Sequence, residues 1–239
     1  PDLPRSRWLD DRDILGECVQ AAKRNGIRIV GRLSIDAART ELAARHPDWF
    51  LVRKDGKMGQ EIWAFEDGEP SPAVSMEYAP TCSFSTYFDE FVPQLIDEVM
   101  TRYKLDGVYT NGWPLSFVRP CYCDKCQKIG DPQSETYRLA YEKRIIDLVA
   151  IYNARVAKTN PDAIYAGNFG SATSVGNLDL KHLLKQSVWM FADNQGRHDG
   201  DSPSWDAAQQ ARVSRALIGD RPVIASTGGW FFHGTSWWR

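Results

Sequence analysis

The chain has 239 residues, 43% hydrophobic and 25% charged, the composition of a folded globular protein and not of a disordered or fibrous one. Its 29 basic and 31 acidic residues give a net charge of -2, so no basic field is present to hold nucleic acid or an anionic membrane. No run of 18 apolar residues is present to span a bilayer.

In chain order, Ile14, Leu15, Cys18, Val19 and Ala22 recur at helical spacing and predict a helix over 11–24, with Asn25-Gly26 as its stop. Cys18 falls on the apolar face and is expected to be a buried small hydrophobe. A β-branched run predicts a strand over 27–33. A short helix is expected over 36–44, then an excursion to about residue 84 with no long period, which reads as a functional loop. Periodicity returns in Phe88, Phe91, Leu95, Ile96 and Val99, a helix ending near Tyr103, followed by a strand over 105–111. A second loop carries clustered cysteines. Ile145, Ile146, Val149, Tyr152 and Val156 mark a third helix, stopped by Asn160-Pro161. Strands over 163–169, 188–193 and 222–227 then alternate with helices over 178–186 and 207–217.

Five strands alternating with helices in one domain imply a parallel sheet with covered faces. The expected fold class is α/β, a (β/α)8 TIM barrel that is incomplete in residues 1–239; an open doubly wound sheet is the alternative. Against the eight strands of a barrel the chain is about three short, which reads as part of a longer parent.

The cysteines are five, Cys18, Cys82, Cys121, Cys123 and Cys126, and an odd number argues against a complete disulfide framework. Three thiols within six residues suit zinc, which takes about four tetrahedral ligands. The fourth ligand is open between Cys82, on the preceding loop, and Asp124 or His182. Four sulfurs would close the shell, so a structural zinc is expected, pinning the loop region 78–130, with no organic cofactor. No glycine-rich phosphate loop occurs. Reduced thiols suit the cytoplasm, although zinc would also protect them in the periplasm or after secretion.

In a parallel α/β domain ligands bind where strands give way to the following loops. Those positions hold Arg32, Ser34 and Asp36, then Asn111 and Trp113, then Asn168, then Asp193 and Asn194, then Thr227 with Trp230. They form a polyol-binding mouth if they converge. Asp193 is the best-placed carboxylate and Glu77 the second. Arg32, Asn111 and Asn168 would bond hydroxyls, while Tyr78, Trp113 and Trp230 would stack on a sugar; the same aromatics equally serve to fill a core. Asp106 opens its strand and belongs to the stability face.

The segments His46-Pro47-Asp48-Trp49, Asp55-Gly56, Thr81-Cys82-Ser83, the run 103–109 and Cys121-Tyr122-Cys123-Asp124-Lys125-Cys126 resemble a bacterial group of hypothetical glycoside hydrolases, amylase-like barrels related to alpha-L-fucosidases and beta-galactosidases. The cysteine run also looks like that of the family 42 beta-galactosidases, where a Cys-X-Cys-X-X-Cys run after strand four and one earlier cysteine hold zinc. By that resemblance the ligands are Cys82, Cys121, Cys123 and Cys126. The resemblance implies a glycoside or oligosaccharide as partner and a capacity for homo-oligomers. In that family an Asn-Glu pair ends strand four and supplies the acid/base; fucosidase-like barrels keep an aspartate nucleophile there. Here the pair is Asn111-Gly112. Three explanations stand: a carboxylate from elsewhere, such as Glu77 or Asp193; a barrel that binds sugar without cutting it; or an acid deliberately replaced by asparagine. A structural or redox zinc module is a further, distinct reading.

Overall fold

A computed structural model describes residues 11–59, 65–66, 69–70, 78–114, 118–169, 177–187, 189–194 and 206–227. Helix α1 (Ile14–Arg24) begins at Asp13, whose carboxylate accepts from the Gly16 N–H at 3.0 Å and caps an otherwise orphaned donor. Of its residues only Val19 is buried, and Cys18 is exposed, contrary to the expected apolar face. The stripe that packs is narrower than the one the sequence offers.

Strand β1 (Val30–Ser34) is followed by β2 (Ala37–Arg39) where a helix was expected. Ala37 and Ala38 are buried, and β2 pairs antiparallel with β5 (Tyr78–Pro80), which satisfies its backbone groups without a helix. A short 3-10 turn at Thr40–Leu42 is all that remains of the helical tendency. Between them lies the hairpin pair β3 (Phe65–Glu66) and β4 (Glu69–Pro70). The long excursion is tied down where it is described: Leu51 N–H donates to Pro80 O at 2.9 Å and Gly59 N–H to Leu51 O at 2.8 Å.

Helix α2 (Val92–Tyr103) leads into strand β6 (Gly107–Asn111); after the short α3 (Asp124–Ile129), α4 (Glu135–Thr159) leads into β7 (Ile164–Asn168). Ser134 caps α4 by accepting from the Tyr137 N–H at 3.2 Å, eleven residues before the periodicity first visible in the sequence. Helix α5 (Leu180–Leu183) precedes β8 (Trp189–Asn194), and α6 (Asp206–Ile218) precedes β9 (Val223–Thr227).

The main sheet runs β1-β6-β7-β8-β9, every neighbouring pair parallel. A doubly wound sheet reverses its strand order at a switch point. This order advances in one direction only, so the crossovers wind one way, as in part of a barrel. The two faces differ accordingly. Val108, Thr110 and Tyr165 face the helices: the Tyr165 ring lies 5.7 Å from Tyr152 of α4, and Thr110 Oγ1 is 3.0 Å from Tyr165 Oη. Arg32 and Ser34 lie on the opposite face and are exposed.

Much of the aromatic content fills the core behind this sheet. Trp49, Tyr87, Phe88, Trp113, Tyr152 and Tyr165 are all buried in it. Asp106 behaves as a stability residue: its Oδ2 accepts from the Ile29 N–H at 2.8 Å and ties the start of β6 to the segment before β1. Close strand approach explains Gly107. A Cβ there would lie 2.5 Å from the Ile164 carbonyl oxygen, which is backbone and cannot swing away. Gly107→Ala is therefore expected to destabilise the fold by about 2–3 kcal/mol, read as a shift in urea midpoint; an unshifted midpoint would show that β6 and β7 can part.

Candidate functional site

Four sulfurs meet where two loops close over the sheet. Cys82 follows β5, Cys121 and Cys123 lead into α3, and Cys126 lies in its first turn. All four Sγ atoms lie within 4.8 Å of one another, and none is in a disulfide. Cys82 Sγ is 3.6 Å from Cys126 Sγ and 4.0 Å from Cys123 Sγ. A tetrahedron with metal–sulfur bonds near 2.3 Å has edges of about 3.8 Å, between those two distances. The donor set is soft and all-thiolate, which selects zinc over magnesium or calcium.

The surroundings support the sulfurs as ligands. The Val52 N–H and the Tyr137 hydroxyl donate to Cys121 Sγ and Cys126 Sγ, each at 3.4 Å, and such outer contacts orient ligands and stabilise thiolates. Hydrogen bonding among the sulfurs spreads their proton affinities. The Cys82 thiol is pushed up, first by Cys121, and the Cys123 thiol is pulled down, also first by Cys121. The four cysteines can thus hold a metal ion. His182 is engaged elsewhere, its Nδ1 against the buried Glu142, which also takes Arg138 at 3.1 Å. Neither His182 nor Asp124 belongs to the group, whose fourth member is Cys82.

The second feature is the C-terminal edge of the sheet. Asn111 Oδ1 accepts from the Tyr109 hydroxyl at 2.6 Å and from Asn168 Nδ2 at 3.3 Å. Arg32 pairs in register with Tyr109, and Ser34 with Asn111. Arg32, Asn111 and Asn168 therefore stand together on neighbouring strands, as the strand-end argument expects. Asn168 pairs with Phe191, two residues before Asp193, and Asp193 pairs with Ser226. By strand alternation Asp193 belongs to the same face as Asn168; of Asp193 the backbone position is described. Glu77 and Trp230 lie outside the described residues.

One expected sugar contact is placed differently. Trp113 is 4% exposed, its ring stacked on Phe88 at 5.3 Å and tilted against Tyr152 at 5.5 Å. It is a core residue and offers no open ring face to a ligand. The chain turns at Gly112, with φ of 68°, and that turn carries the tryptophan to the helical side. Tyr78 stands opposite Arg39 in the β2–β5 ladder, outside the parallel sheet.

Asp36, named among the strand-end positions without a role of its own, has a distinctive setting. It is 5% exposed, and its Oδ2 lies 3.9 Å from Arg119. Burial pushes its carboxyl above the ordinary range, against the opposing pull of Arg119 and, more weakly, of Arg32. A Cβ on Gly112 would lie 2.5 Å from Asp36 Oδ2. Gly112→Ala must both adopt a left-handed backbone and displace this carboxyl. It is expected to cost about 1–3 kcal/mol, measured by thermal melting; an alanine variant as stable as the parent would mean that Asp36 moves without cost.

Residues 3–112 match the model of a family described as hypothetical glycosyl hydrolase 6. No curated protein matches the chain. Among solved structures it is similar to a beta-galactosidase from Rahnella sp. R3, at 14% identity and a TM-score of 0.65, over 92% of this chain and 38% of that one. It is also similar to a beta-galactosidase from the haloarchaeon Halorubrum lacusprofundi, at 15% identity and a TM-score of 0.65, over 96% of this chain and 43% of that one. A cycloisomaltooligosaccharide glucanotransferase from Paenibacillus sp. superposes with a TM-score of 0.61 at 11% identity, over 89% of this chain and 28% of that one. The chain thus spans about two fifths of the beta-galactosidases it matches. At these identities the likeness concerns fold. The beta-galactosidase neighbours are TIM-barrel glycoside hydrolases, and the five-stranded sheet here is consistent with part of such a barrel.

Proposed function

We propose that the protein is a glycoside hydrolase that removes a terminal sugar of the galactose, fucose or arabinose type, related to the family 42 beta-galactosidases and the fucosidase-like barrels. The observation that carries this reading is the polar row of Arg32, Asn111 and Asn168 at the C-terminal ends of adjacent parallel strands, the edge where barrel enzymes bind substrate. The family match supports the reaction class.

Glycosidic cleavage needs a carboxyl to donate a proton and a carboxylate to act as base or nucleophile. Asp193 and Glu77 are proposed for this chemistry. Arg32, Asn111 and Asn168 bond the sugar hydroxyls, and Tyr78 and Trp230 supply aromatic contact. Cys82, Cys121, Cys123 and Cys126 hold a zinc whose closed sulfur shell leaves no position for water, so it clamps the two loops and takes no part in the reaction. A panel of aryl glycosides tests the proposal: release of the aryl group from one sugar class is expected, and silence across the panel would reject it.

One observation favours a second reading. Strand β6 ends in Asn111-Gly112, which offers no carboxylate at that point. A barrel that binds sugar without cutting it would show saturable binding in calorimetry with the same panel inert.

A further inference from the structure

We infer that Asp36 is the residue that protonates the leaving oxygen in this reaction, an inference that rests on the hydrolase reading above. Asp36 lies in a bend two residues beyond the end of β1, and its carboxyl packs against Gly112 at the end of β6. The side chain is 5% exposed, yet Oδ2 has no hydrogen-bond partner among the described residues. Arg119 at 3.9 Å is an ion-pair neighbour too distant for a hydrogen bond. A buried carboxyl kept for structure alone would be expected to use both oxygens. The carboxyl also rests against Gly112, the residue after Asn111, and fills the space that any side chain there would need. A carboxyl on β1's extension therefore stands where β6 ends without one.

The charges facing it are consistent with a proton donor. Arg119 approaches from the loop after β6 and Arg32 from β1, while the buried Tyr87 phenol, before α2, feels its charge. Burial outweighs the two cations and the backbone N–H groups of Asp36 and Ala37 and raises the carboxyl's hold on its proton, the direction a proton donor needs. In the step, protonated Asp36 gives its proton to the glycosidic oxygen as the bond to the anomeric carbon breaks. The bond's electron pair stays on that oxygen, which leaves as an alcohol. Water adds its oxygen to the anomeric carbon and gives its proton to the second carboxylate, for which Asp193 is the candidate. Exchange with solvent resets both groups.

The test compares Asp36→Asn with wild type on two glycosides of the same sugar, one with an alkyl and one with a 2,4-dinitrophenyl leaving group. Loss of the acid is expected to lower alkyl-glycoside turnover about 10²–10⁴-fold. It should leave the dinitrophenyl glycoside, which needs no proton, nearly untouched, and remove the alkaline limb of the pH–rate profile. Equal loss on both substrates, or no loss on either, overturns the assignment while wild-type turnover keeps the hydrolase reading. A wild-type protein inert on both overturns both. Should the variant fail to fold, the ¹³C carboxyl resonance of Asp36 in labelled wild type decides, titrated with and without an unreactive thioglycoside. A shifted titration supports the contact, and an unmoved one overturns it.

Discussion

Replacing Cys82 by serine is expected to release the metal and lower the melting temperature by about 6–12 °C, which for a chain of this size corresponds to about 3 kcal/mol. Cys82 lies on the loop after β5, whereas the other three sulfurs come from the segment between β6 and α3. Its loss therefore breaks the only sulfur link in this cluster between the two segments, and the remaining three sulfurs share one short stretch of chain. Zinc binding in such clusters is folding free energy, because the ligands converge only in the folded state. Elemental analysis should fall from about one zinc per chain to a small fraction, and a chelator should bring the wild-type melt toward that of the variant. The exposed Cys18 supplies the control, since Cys18→Ser should change neither zinc content nor melting. A Cys82 variant with full zinc and an unchanged melt would show that the four sulfurs are not one ligand set.

Exchanging Asp193 for asparagine is expected to lower glycoside turnover by about 10²–10⁴-fold with little change in stability. Asp193 pairs with Ser226 near the C-terminal end of β8, on the face shared with Asn168 through Phe191. Under the proposal that Asp36 is the proton donor, Asp193 is the base that takes the proton of water, and its loss would not be offset by a good leaving group. The dinitrophenyl glycoside that tolerates Asp36→Asn should therefore fail with Asp193→Asn. Turnover unchanged in the asparagine variant would remove Asp193 from the reaction and leave Glu77 as the remaining proposed carboxylate.

The strands of the sheet were legible because each is a short run carrying β-branched or aromatic residues near stop signals, and all five fall within a few residues of their predicted places. The helical tendency of 36–44 misled because Ala37 and Ala38 suit a helix in isolation. Pairing with β5, some forty residues later in the chain, decides the matter, and no local pattern contains that partner. The length of α4 was half hidden for a related reason. Its first turns bury Tyr137, Tyr141 and the charged Glu142, which do not read as an apolar stripe. The cysteine spacing was legible as chemistry, whereas the choice of Cys82 over Asp124 or His182 needed the two loops brought together. Trp113 was misplaced because it was grouped with Asn111 as a strand-end position, whereas the left-handed turn at Gly112 separates the two. Asp36 gains its meaning from a contact with Gly112 on another strand's end, which a single sequence does not display.

Hydrolysis of glycosides at this strand-end edge is tested by ¹H NMR of the zinc-loaded protein with terminal galactosides, fucosides and arabinosides. The account predicts a time course in which one sugar class appears free, with a single anomer accumulating before mutarotation and Asp193→Asn abolishing its release. Glycosides left intact by a protein with full zinc and a normal melt would contradict it.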